Sequence, residues 1–186
     1  MVGLGNPGEE YARTRHNVGA DAVNLLAERH GGRLRVLKAH RAGVAEVRIG
    51  EARVALAVPT TYMNESGTAV RALLRRFGVG PPALVVVHDE LDLPPGTLRV
   101  KVGGGTAGHN GLRSVQAHLH SADFLRVRIG VGKPPHARSG ADYVLRRPAK
   151  AERELLDVAI ADAADAVELI ATEGAEAAMN RYNRGR

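Results

Sequence analysis

The run Ala83-Leu84-Val85-Val86-Val87, five apolar residues directly after Pro81-Pro82, leaves no polar face to turn toward water. Such a strand is buried on both sides, in the middle of a sheet with helices packed above and below it. Around it the chain alternates short β-branched runs with helical spacing, so the predicted class is α/β. Ala42 to Ile49 and Arg53 to Val58 read as two strands joined by a hairpin turn across Gly50-Glu51. Leu98 to Val102 and Phe124 to Val131 are further strands. Asn64 to Phe77 puts Val70, Leu73, Leu74 and Phe77 on one side of a helix, and a second helix is predicted from about Asn110 to His118. Leu156, Ile160, Ala163, Val167 and Ile170 recur at four and three, the stripe of an amphipathic helix whose acidic outer face reads as solvated. The connection from Gly132 to Pro148 is long enough to be a mobile flap.

At 186 residues one ordinary core is expected, hence a single domain over residues 1–186. No stretch reaches the roughly 18 uninterrupted apolar residues of a membrane span. Met1 to Asn6 lacks the basic and apolar regions of a signal peptide, so the expected location is the cytoplasm. The absence of cysteine removes disulfides, thiolate metal sites and a cysteine nucleophile, leaving hydroxyl, carboxylate, histidine or lysine chemistry. The net charge of +6 is unevenly spread. Ala151 to Arg186 holds 8 acidic and 4 basic residues, whereas Met1 to Lys150 holds 22 basic and 12 acidic, which suits a polyanionic partner. With 3% aromatic residues, recognition by base stacking is not expected.

Gly3-Leu4-Gly5-Asn6-Pro7-Gly8 fits the dinucleotide pattern G-x-G-x-x-G, but Pro7 removes a backbone donor and Glu9-Glu10 would repel phosphates. A tight strand-to-loop turn is the better reading. His16 stands just before a helix whose Ala22, Val23 and Leu26 face the core, and it becomes a candidate base if a carboxylate at another strand end orients it. His88-Asp89-Glu90-Leu91-Asp92 offers that carboxylate. Strand alternation sends His88 and Asp89 to opposite sides, so only one need face the cleft. The same cluster could hold a divalent cation, although consecutive ligands on a strand end point apart. Asn6, Asn64 and Asn110 lie at junctions between elements, where amides could bind peptide groups or serve as local caps. Gly103 to Gly111 is glycine-rich, compatible with close approach of a ligand or with a tight loop.

Five motifs occur in order: Gly3-Leu4-Gly5-Asn6-Pro7-Gly8 with Tyr11, Thr14-Arg15-His16-Asn17, Pro59-Thr60-Thr61-Tyr62-Met63-Asn64, His88-Asp89-Glu90-Leu91-Asp92 and Gly103-Gly104-Gly105 through Gly111. Together with Arg126 to Gly132 they make the chain resemble bacterial peptidyl-tRNA hydrolases over essentially its whole length. The resemblance implies a twisted mixed sheet flanked by helices, a monomer, no cofactor or metal, and hydrolysis of the ester joining a peptide to tRNA. It implies His16 as the base, Asp89 as its carboxylate and Asn6 as an assisting amide beside the scissile ester. Asn64 and Asn110 would hold substrate, Met63 and Tyr11 would line the cleft, and His109 and Val144 would flank it as gate positions. Lys101 and Arg128 would clamp a tRNA phosphate. Members of the family usually carry several residues before Val2 and other small or polar residues at Thr106-Ala107.

The implied chemistry agrees with the residues. An ester has a better leaving group than an amide, so a positioned water and a base of pKa near ~6.5 suffice without a covalent nucleophile. Asp89 would fix the imidazole tautomer and stabilise the imidazolium, and Asn6 or Asn110 could stabilise the oxyanion. The rival from another class is an RNA-binding module without catalysis, which leaves His16, Asp89 and the asparagines unexplained.

Overall fold

The apolar run enters the sheet as β5 (Val85–Glu90), buried at every position and placed between two parallel neighbours, β1 (Val2–Gly3) and β7 (Leu125–Gly130). The computed structural model describes residues 1–134 and 140–184. The strand starts two residues later than the apolar run, because Pro81-Pro82-Ala83 form a 3-10 turn that Leu84 closes with a hydrogen bond to the Pro81 carbonyl. It also runs on through His88-Asp89-Glu90, because β7 supplies partners as far as Gly130.

Seven strands form one mixed sheet in the order β2 (Arg35–Leu37), β3 (Ala42–Ile49), β4 (Ala52–Pro59), β1, β5, β7, β6 (Leu98–Val102). The middle of the sheet, β4-β1-β5-β7, is parallel, and antiparallel strands finish both edges. The predicted hairpin is β3 and β4, turned at Gly50 with φ of 57°.

Side-chain alternation along β5 divides the core. Val85 and Val87 join α1 (Val18–Arg29), α5 (Lys150–Glu173) and α6 (Ala175–Tyr182) on one face. Val86 joins α2 (Ser66–Phe77) and α3 (Asn110–Leu119) on the other. Leu26 and Leu112, one on each face, are fully buried. Truncating such a side chain to alanine costs about 2–5 kcal/mol. A 3-10 turn, Met63–Glu65, takes the start of the helix predicted from Asn64. The described residues contain no helix long and apolar enough to cross a membrane.

Two features add to the sequence reading. The acidic side of α5 is partly a docking face: Glu152 pairs with Arg15, Asp157 with Arg13, Asp165 and Glu168 with Arg29, and Glu168 also with His30. Of the expected flap from Gly132 to Pro148, residues 135–139 lie outside the described residues. The remainder includes a short helix, α4 (Gly140–Val144), tied down by the Tyr143 hydroxyl, which donates to the Val131 carbonyl at 2.9 Å.

Candidate active site

β1 and β5 are parallel neighbours whose chains leave for opposite halves of the sheet, and open α/β sheets bind ligands beyond the carboxyl ends of such strands. A cavity of about 340 Å³ opens there. Asn6, His16 and Asp89 line it with Tyr11, Met63, Asn64, His109, Asn110 and Val144. Two close glycine contacts place His16. A Cβ on Gly19 would collide with the Val87 carbonyl, and one on Gly3 with the Gly19 carbonyl, so the first turn of α1 lies directly on β1 and β5. The 3-10 turn Arg15–Asn17 precedes that helical turn and holds His16 at the strand ends.

His16 Nδ1 lies 2.8 and 3.0 Å from the two carboxylate oxygens of Asp89. Both side chains are buried, so Nδ1 carries the proton and donates it, and the Nε2 lone pair is left without a protein partner among the described residues. Burial alone would lower the His16 pKa, but the Asp89 charge and hydrogen bond outweigh it and raise the value above that of free imidazole. Burial would likewise raise Asp89, yet His16 and then His109 hold it well below the ordinary carboxylate range. His109 Nε2 reaches Asp89 Oδ1 at 2.7 Å, so one carboxylate serves two imidazoles. His88 leaves β5 on the side opposite to Asp89, with its ring edge-on to that of His109 and centroids 5.1 Å apart. Its Nδ1 donates to the Asp89 carbonyl, and burial first, then neighbouring His109, pushes its pKa down to about 3.

Asn6 is fixed from both ends. Its Oδ1 accepts the Met63 N–H at 2.7 Å, which assigns the amide orientation and leaves Nδ2 as a donor toward the cavity. Asn17 holds the Asn6 backbone as a strand would, accepting its N–H and donating to its carbonyl, both at 2.9 Å. Asn64 and Asn110 are exposed at the cavity wall. Arg15 anchors the histidine turn to the far end of the chain, with a two-point bond to Glu152 at 2.6 Å and its guanidinium 4.1 Å above the Tyr143 ring. In the sequence Asn17 and Arg15 stand out only as members of the motif around His16. Their partners, 11 and 137 residues away, leave no local periodicity to find them by.

Lys101 and Arg128 stand apart from the cavity, on the sheet face that β6 and β7 share. The register opposes Lys101 to Arg126 and Arg99 to Arg128, which puts these positions on one face. Lys101 is exposed and has no ion pair among the described residues. Arg128 bonds the buried Glu90 carboxylate at 2.9 and 3.1 Å. Arg126, nearly fully buried, donates to the carbonyls of Gly104 and Gly105 and lies over the Phe124 ring, thereby fastening the glycine-rich loop.

The dinucleotide reading of residues 3–8 finds no helix start: Gly8 takes φ of 108° and a short 3-10 turn follows. Among the described residues, the group with metal-like spacing is His16, Asp89 and His109 rather than the run His88 to Asp92. In that run Glu90 is engaged by Arg128 and Asp92 by Lys133.

A buried carboxylate, an imidazole it orients and a fixed amide donor around one cavity are the parts with which a hydrolase can activate water. The profile of the family described as peptidyl-tRNA hydrolase matches residues 1–186, and the chain belongs to that family. It is 52% identical over 183 residues to a Nocardia farcinica protein named peptidyl-tRNA hydrolase, covering 98% of this chain and 95% of that one. A Frankia alni protein of the same name is 51% identical over 185 residues, covering 98% and 92%. The crystal structure of peptidyl-tRNA hydrolase from Acinetobacter baumannii superposes with a TM-score of 0.94 at 39% identity, covering 100% of this chain and 94% of that chain.

Proposed function

We propose that this chain hydrolyses the ester between the peptide and the terminal ribose of peptidyl-tRNA, with His16 as general base. The observation that carries the reading is the division of labour on the His16 ring. Nδ1 is committed to Asp89, so Nε2 is left to take a proton from a water in the cavity. The resulting hydroxide adds to the ester carbonyl carbon, and Asn6 Nδ2 is the fixed donor suited to the oxyanion. Collapse breaks the bond to the ribose oxygen, which recovers the proton from the imidazolium while Asp89 stabilises that cation. Asn64 and Asn110 hold the peptide, Tyr11 and Met63 shape the cleft, and His109 and Val144 flank it. Lys101 and Arg128 supply the contact to a tRNA phosphate, with the protein working as a cytoplasmic monomer of one domain.

The test is peptide release from purified peptidyl-tRNA. The expected products are free peptide and intact tRNA, and His16→Ala lowers turnover by roughly 10²–10⁴-fold with tRNA affinity unchanged. Near-normal turnover in His16→Ala removes the histidine from the role. Tight binding with no release by the unaltered protein would leave an RNA-binding module.

A further inference from the structure

We infer that His109 is a positioning residue that couples the N-terminus of α3 to Asp89 and so sets how strongly that carboxylate holds the proton of His16. The inference rests on the reading of His16 as the base and goes beyond it, because it assigns His109 a role in the chemistry rather than at the rim of the cleft.

The tautomer follows from the donors. His109 is the N-cap of α3, and its Nδ1 receives two backbone N–H groups, from Gly111 at 3.1 Å and Leu112 at 3.2 Å. Amide N–H groups cannot accept, so Nδ1 must offer its lone pair, and the ring proton sits on Nε2. That nitrogen is 2.7 Å from Asp89 Oδ1 and donates to it. A chain of hydrogen bonds therefore runs from the positive end of a ten-residue helix through one imidazole to the carboxylate, and on to the second imidazole. The two rings tilt against each other with centroids 4.9 Å apart, so His109 also shields His16 from water.

Both effects moderate the basicity of His16. Part of the Asp89 charge is spent on the His109 N–H, and the ring excludes solvent that would favour the imidazolium. The other titratable groups around the pair are Glu90, which pairs with Arg128, His88, whose Nδ1 donates to the Asp89 backbone and whose ring stands edge-on to His109 with centroids 5.1 Å apart, and Tyr11, which lines the same cavity. The loop that delivers His109 is held by Arg126, and by Gln116, whose amide donates to the Gly104 carbonyl at 2.9 Å.

The discriminating variant is His109→Asn. Asparagine is a preferred N-cap and keeps the two helix donors satisfied, but its side chain is too short to reach Asp89 as well. The expected result is unchanged melting temperature and KM, an acid limb of the pH–rate profile moved upward, and kcat lowered about 10-fold, the change that a loss of ~1.4 kcal/mol of transition-state stabilisation produces. His109→Ala should add a loss of thermal stability from the missing cap. A rise in KM with an unmoved acid limb would make His109 a substrate contact only. A fall in melting temperature in His109→Ala alone, with an unmoved limb in both variants, would make it a helix cap only. Either result overturns the inference. Nitrogen NMR on the unaltered protein tests it without turnover: the expected spectrum has His109 protonated at Nε2 and His16 at Nδ1, and a proton on His109 Nδ1 contradicts it. Following the His16 titration by NMR in His109→Asn keeps this outcome separate from any failure of the proposed activity.

Discussion

The cavity at the ends of β1 and β5 and the basic face of β6 and β7 are built on opposite principles. In the cavity nearly every reactive group is committed before a ligand arrives: Asp89 to two histidines, Asn6 to Met63 and Asn17, and His16 to a single tautomer. On the basic face Lys101 is exposed and has no ion pair among the described residues, and Arg128 meets solvent over one side while Glu90 holds the other. Bond making needs donors already aimed at the atoms where charge develops, whereas a phosphate is found by field and adjusted by flexible side chains. The two regions should therefore answer to different variables, the cavity to pH and the basic face to salt.

The largest effect that would sharpen this contrast comes from Asp89→Asn, which keeps shape and removes charge. Turnover should fall by on the order of 10²-fold or more, as when the aspartate behind a catalytic histidine is neutralised. The sign of the pH change is fixed. Asp89 raises the His16 pKa, so its loss lets the imidazole deprotonate at lower pH, and the acid limb moves down. An unmoved limb would break the link between the pair and the rate.

A smaller, purely structural effect belongs to His88. Its folded pKa is depressed to about 3, so between the unfolded value and that figure the unfolded chain binds the extra proton. The stability associated with His88 is complete above roughly pH 6.5 and is lost progressively as pH falls toward 3, by about 1.4 kcal/mol per unit. In urea unfolding, the protein should lose about 2–3 kcal/mol more than His88→Leu between pH 7 and 4.5. Equal losses would show that the histidine is accessible to protons in the fold.

The smallest effects lie on the basic face. Lys101→Ala should raise KM for full-length peptidyl-tRNA, spare a minimal substrate without the phosphate, and flatten log affinity against log salt by about 0.7–0.9. Arg128→Ala should do the same and also destabilise the fold by about 1–3 kcal/mol, because Glu90 is then buried without its partner. Equal losses on both substrates would dissolve the distinction between the two regions.

How legible these regions were from sequence follows the range of the contacts that build them. β3, β4, β6 and the α5 stripe came from periodicity, which is a local property. The motifs named His16, Asp89 and Asn6, and the fold brings them to one cavity. What stayed hidden depends on register. Nothing near Arg128 announces that β5 places Glu90 against it, or that Arg126, rather than Arg128, faces Lys101 across the ladder. His109 was named for its place beside the cleft. Its second bond became visible only when α3 and β5 met, because a cap and a strand end 20 residues apart share no pattern. The start of β5 was misjudged for a simpler reason: hydrophobicity marks what is buried, while the two prolines decide where the ladder begins.

The central claim is that the rate depends on the unprotonated Nε2 of His16. The most direct measurement is a paired titration of one protein sample, with single-turnover hydrolysis and the NMR shifts of the His16 ring followed across the same pH range. The account predicts one shared midpoint above the ~6.5 of free imidazole, with the rate rising as the ring loses its proton. An acid limb whose midpoint differs from that of the His16 ring, or a rate that does not change while the ring titrates, would contradict it.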